Sequence, residues 1–84
     1  MAYALILKQK AKKGLSSLNE QDRTRIRVVL RAICNDPFSG KKLEGDLKDY
    51  YSVRVPPYRI VYEIYKKELI IIVIRIGHRQ GVYK

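Results

Sequence analysis

The residues with the most suggestive chemistry gather in the second half of the chain: Arg54, Arg59, His78, Arg79 and Tyr83. Period-two alternation puts Tyr50, Ser52 and Arg54 on one face of an extended segment, with Tyr51, Val53 and Val55 on the other. In the next segment Arg59, Val61, Glu63 and Tyr65 oppose Tyr58, Ile60, Tyr62 and Ile64. Across the short Pro56-Pro57 connection, Arg54 and Arg59 can point to the same face. His78 and Arg79 follow the last apolar run, and Tyr83 comes four residues after Arg79. Converged, these side chains would present three guanidiniums, an imidazole and a phenol, with no carboxylate obliged to lie among them.

That set suits cleavage of RNA by its own 2′-hydroxyl. The 2′-oxygen attacks the adjacent phosphorus and the bond to the 5′-oxygen breaks, leaving a 2′,3′-cyclic phosphate and a free 5′-hydroxyl. The reaction needs help with the 2′ proton, positive donors around the charge-rich phosphorane, and an acid for the departing oxygen. Arginine forks hold phosphate oxygens in pairs. A histidine titrates near neutrality, and a tyrosine can stack, orient a hydroxyl or pass a proton.

Each residue also has a plainer reading. Arg54 and Arg59 fit the solvated edge of a sheet, His78 after Gly77 fits a turn, and Tyr83 fits packing against the sheet. Arg23, Arg27 and Arg31, at i, i+4 and i+8, fit the wet side of a helix or a partner contact. Tyr3, Tyr51, Tyr58 and Tyr62 fit core or boundary positions better than base-stacking platforms.

Other chemistries are poorly supplied. One His and one Cys cannot furnish a zinc shell, so no metal and no cofactor are expected. Gly40 and Gly45 lack the context of a phosphate-binding loop, and no serine sits in a nucleophile elbow. Cys34 falls in an apolar helical pattern and reads as a buried structural thiol. Eighteen Lys and Arg against eight Asp and Glu give a net charge of +10, which suits a polyanion such as nucleic acid, or an acidic protein. Residues 1–13 contain four lysines and no acid, and residues 50–84 seven basic residues against two acidic ones. The N-terminus does not resemble a signal peptide and Leu69–Ile74 is too short to span a bilayer, so a cytoplasmic protein with no membrane partner is expected.

The elements that must position the basic residues are legible in outline. At 84 residues and 46% hydrophobic, the chain suits one small domain over residues 1–84, with a site on an open face or groove rather than in a deep pocket. Tyr3–Leu7 reads as a strand. A helix is predicted from about Lys8, with Ala11, Leu15 and Leu18 on one side and Gly14 weakening it. Asn19 to Asp22 reads as the start of a second helix, with Ile26, Val29, Leu30 and Ile33 on its apolar face and Asn35-Asp36-Pro37 ending it. Pro37–Asp49 reads as a loop. Tyr50–Val55, Tyr58–Tyr65 and Leu69–Arg75 read as a three-stranded antiparallel meander, with a brief tail at Gly77–Lys84. Because Ile70–Ile74 is apolar on both faces, the last strand is expected to be internal. The expected class is α+β: an N-terminal strand, two helices, then the meander, with the helices on one sheet face.

Taken together, several blocks resemble the RelE-type toxins of the RelE/ParE toxin–antitoxin superfamily. They are Asp36-Pro37, Lys42-Leu43-Glu44-Gly45, Tyr50-Tyr51-Ser52-Val53-Arg54-Val55, Tyr58 to Ile64, and Ile76 to Tyr83. Their order and spacing match over essentially the whole chain. The resemblance implies a compact microbial RNase fold and a metal-independent endoribonuclease that cleaves mRNA in the A site of the 70S ribosome and so inhibits translation. It also implies a cognate antitoxin that wraps and neutralises the toxin. By position, Arg54 matches a basic strand residue of the family site, Arg59 a phosphate binder, and Arg79 a group for charge stabilisation or leaving-group protonation. Tyr83 matches a tyrosine that orients or activates the 2′-hydroxyl, and His78 falls where some relatives place an acid. Ser52 departs from the pattern, standing where a prominent member has a second lysine. Two other readings stay open: a ParE-like toxin that inhibits gyrase without nuclease activity, and a non-catalytic basic RNA-binding module.

Overall fold

In the computed structural model, which describes residues 2–45 and 49–78, the elements run β1 (Ala4–Leu7), α1 (Gln9–Ser16), α2 (Glu20–Asn35), β2 (Lys41–Lys42), β3 (Tyr50–Val55), β4 (Tyr58–Tyr65) and β5 (Ile70–His78). α2 starts where its sequence dictates. The Asn19 carboxamide accepts the Asp22 N–H at 2.8 Å, and Glu20 and Asp22 occupy the first turn, where the helix dipole favours acids. Ile26, Leu30 and Ile33 form its buried stripe, and the helix closes just before Pro37.

α1 is shorter than its apolar spacing suggests. Hydroxyls of Ser16 and Ser17 donate to the carbonyls of Lys13 and Gly14, an alternative to further helix that closes it before Leu18. Its Gly14 is the point of closest approach to the sheet. A Cβ built there would lie 1.9 Å from the Ile76 carbonyl oxygen of β5, so only glycine lets the helix sit this deep.

The sheet has five strands in the order β1-β5-β4-β3-β2. The three-stranded meander is present as β3, β4 and β5, and two strands extend it. β1 pairs in parallel with β5, Ala4 to Leu7 opposite Ile70 to Val73. β2 lies within the stretch that reads as a loop, with Lys41 opposite Ser52 and Lys42 opposite Tyr51. β5 is internal, as its two apolar faces suggest, and continues through His78, past the Arg75 boundary that its apolar run implies.

Both helices pack on one face. Ala11 from α1 and Ile26, Leu30 and Ile33 from α2 join Val55, Ile60, Tyr62, Ile71, Val73 and Ile76 of the sheet in one core. Cys34 is half-buried at its margin rather than fully enclosed, and burial pushes its thiol pKa upward. Among the described residues, no helix is long and apolar enough to cross a membrane.

Tyr62 anchors the β2 end of this core. It is fully buried, stacks on Tyr51 at 5.9 Å, and its phenol donates to the Pro37 carbonyl at 2.7 Å. Burial pushes its pKa up to about 12. A raised folded-state pKa means this contribution to stability is full below the usual tyrosine value near 10 and is lost as pH rises towards about 12. Tyr62→Phe is expected to cost about 1–3 kcal/mol at neutral pH by leaving the Pro37 carbonyl unpaired. It should also flatten the loss of stability across that alkaline window. Denaturant unfolding of both proteins at neutral and alkaline pH checks both effects.

Candidate nucleic-acid interface

The sheet face away from the helices is organised in rows that run across the strands. In one row Arg54 stands opposite Arg59, and Arg59 opposite Gly77. Directly paired residues share a face, so the two guanidiniums emerge side by side, Arg54 exposed and Arg59 half-buried. The next row runs Lys41, Ser52, Val61, Arg75. Neither row contains an acid; Glu63 comes one row further on, between Tyr50 and Ile72. Ser52 and Val61 are each only 3% exposed although they lie on the face away from α1 and α2.

A break in alternation shapes the edge of this face. Val61 pairs with Arg75 but Tyr62 pairs with Val73, so Ile74 is an extra residue, a β-bulge in β5. Strict alternation from the buried Val73 would turn Arg75 towards the helices and Ile76 outwards. The bulge reverses this: Ile76 is buried in the core, and Arg75 joins the basic face.

The same parity separates His78 from the arginines. His78 is the last residue of β5, opposite Tyr58, and its ring meets the Tyr58 ring edge-on at 5.8 Å. Tyr58 is on the helix side, where its phenol donates to the Asp22 carboxylate at 2.6 Å, a bond that raises its own pKa. A histidine placed beyond the strand end could swing to either face; as a paired strand residue, His78 stands on the face opposite Arg54 and Arg59. The chain thus brings Arg54 and Arg59 together and does not bring His78 to them. Arg79 and Tyr83 lie outside the described residues.

The turn between the two arginines is held from the helix side. Arg25 of α2 donates to the Pro56 carbonyl at 2.8 Å and lies 3.3 Å from Asp22, which in turn accepts from Tyr58. The start of α2 therefore grips both ends of the β3–β4 connection and fixes the pair behind it.

Two basic residues of the face escape the sequence reading. Lys41 belongs to a two-residue strand with no apolar signature, and Arg75 reaches this face only through the bulge at Ile74. On the helix side, the stripe Arg23, Arg27, Arg31 has Arg27 and Arg31 exposed, as a solvated helix face predicts, and Arg23 half-buried. Arg23 is tied to the Leu18 carbonyl. All three arginines border two adjoining clefts of about 270 and 390 Å³ whose walls include Leu5, Leu7, Leu15, Leu30 and Cys34.

The family described as the ParE toxin of the type II toxin–antitoxin system parDE matches residues 5–83. The chain belongs to this toxin family, within the RelE/ParE superfamily. The fold agrees. The toxin superposes on a RelBE toxin–antitoxin complex from Mycobacterium tuberculosis with a TM-score of 0.87, 22% identity, and coverage of 94% of this chain and 93% of the other. Isolated Escherichia coli RelE gives a TM-score of 0.80 at 26% identity, covering 92% and 84% of the two chains. The archaeal RelE–RelB complex from Pyrococcus horikoshii gives 0.70 at 26% identity, covering 98% and 100%. No curated protein matches the toxin significantly in sequence.

Proposed function

We propose that the toxin is an endoribonuclease that cleaves mRNA, in the A site of the 70S ribosome, by attack of the 2′-hydroxyl. The observation that carries this reading is the Arg54–Arg59 pair, adjacent on the sheet face away from α1 and α2, in a row without carboxylates among the described residues. Two such forks can hold the non-bridging oxygens of one phosphodiester and offset the charge that grows on the phosphorane. The positive charge comes from guanidiniums, so the step as written asks for no metal. Arg79 and Tyr83 are proposed to serve the departing 5′-oxygen and the 2′-hydroxyl. His78, on the opposite face, takes no step. Such a substrate places the toxin in the cytoplasm.

The experiment is cleavage mapping by primer extension on mRNA-programmed ribosomes, with the product ends analysed chemically. A 2′,3′-cyclic phosphate is expected; a 3′-hydroxyl would exclude 2′-hydroxyl attack. The match to ParE toxins favours a second reading, inhibition of gyrase by binding alone. Loss of gyrase supercoiling at toxin concentrations that leave ribosomal mRNA intact would establish that reading instead.

A cognate antitoxin is the proposed protein partner, consistent with the RelE relatives found as complexes with RelB. The clefts along α1, α2 and β1 suit one of its segments: an amphipathic helix whose apolar side meets Leu5, Leu7 and Leu15 and whose acids meet Arg23, Arg27 and Arg31. Arg27 borders both clefts. Arg27→Glu is therefore expected to weaken binding of the co-expressed antitoxin by tenfold or more, about 1.4 kcal/mol, through like-charge repulsion. Isothermal titration of the purified pair measures it.

A further inference from the structure

We propose that the RNA backbone crosses the strands of the toxin, with Lys41 and Arg75 binding the phosphates on either side of the one held by Arg54 and Arg59. The inference rests on the ribonuclease reading and goes beyond it by assigning the flanking contacts. Its geometry comes from the pairing. Lys41 is opposite Ser52, two residues from Arg54 on β3, and Arg75 is two residues from Gly77, the partner of Arg59. Each is thus the diagonal neighbour of one arginine of the central pair, about 7–8 Å away between backbones. That interval is comparable to the step between successive phosphates of an extended RNA strand. A chain passing from Lys41 over the Arg54–Arg59 pair to Arg75 meets a cation at each step and, among the described residues of these rows, no acid.

The bulge at Ile74 is the second observation. It places a long cationic side chain on the open face while returning Ile76 to the core, and bulges next to working surfaces commonly re-aim a side chain in this way. A purely structural kink would not require arginine at position 75. The floor between the two flanking cations is formed by two small side chains, Ser52 and Val61.

The test is single-turnover cleavage on mRNA-programmed ribosomes by full-length wild type, Arg75→Ala, Arg75→Lys and Lys41→Ala, over a range of toxin and salt concentrations. Each alanine variant is expected to raise the half-saturating toxin concentration about tenfold or more while changing the saturating rate far less. Each should also reduce the slope of log affinity against log salt by about 0.7, the counterion release of one single-strand phosphate. Arg75→Lys should restore the slope, because it keeps the charge. A local loss of packing would move neither the slope nor its rescue by lysine. If wild type cleaves but the alanine variants keep its affinity and salt slope, the flanking contacts are overturned and the ribonuclease reading stands. If wild type does not cleave, both fall.

Discussion

Arg59→Ala is expected to slow single-turnover cleavage of ribosome-bound mRNA by about 10²–10³-fold, the loss that follows removal of one preorganised donor to a developing oxyanion. Arg59 should matter more than Arg54. It is half-buried whereas Arg54 is exposed, and a donor in a drier setting interacts more strongly with phosphate charge. Lysine at 59 should recover part of the rate, retaining charge but losing the planar fork. The double variant with Arg54→Ala should fall short of the product of the single effects, because both groups address one phosphate. Rates from primer extension at saturating toxin provide the measurement. A double variant that cleaves at the wild-type rate would remove these arginines from the site.

The second large effect is on stability. Alanine normally improves a helix interior over glycine by about 1 kcal/mol. At position 14 that gain should be overwhelmed. The added carbon would meet the Ile76 carbonyl oxygen at 1.9 Å, and this neighbour is strand backbone rather than a flexible side-chain end. Either α1 lifts from β5 or the strand bends next to its bulge, and overpacking of this kind costs about 1–3 kcal/mol or more. Gly14→Ala is accordingly expected to lower the thermal midpoint by roughly 5–15 °C, given about 4–8 °C per kcal/mol in a domain of this size. A midpoint at or above wild type would mean that the contact between α1 and β5 is far looser than its geometry.

How much of this was legible beforehand depended on whether local pattern and tertiary arrangement agreed. α2 was readable because cap, first-turn acids, apolar stripe and terminating proline all point the same way. The Arg54–Arg59 pair was readable because a short connection between two regular strands leaves little freedom in register. Lys41 was not, since two lysines in a glycine-flanked stretch carry no strand signal and β2 exists only because β3 offers it an edge. The faces of Arg75 and His78 were not legible, for one shared reason. An apolar run does not announce a bulge, and the one at Ile74 changes the side on which every later residue of β5 emerges. The parallel partner of β1 was also hidden, because an apolar run records that it is buried but not which strand lies beside it.

The pairing of β1 with β5 has a consequence for how the chain assembles. It joins residues 4–7 to residues 70–73, nearly the full length of the described chain. Closing so long a loop is entropically unfavourable until something else holds its ends together, and the β3–β4–β5 hairpins, with their short connections, need no such help. The first strand made is therefore among the last to find its place. It docks onto a sheet that already exists, and by the same logic it is among the first to detach when the native state opens briefly.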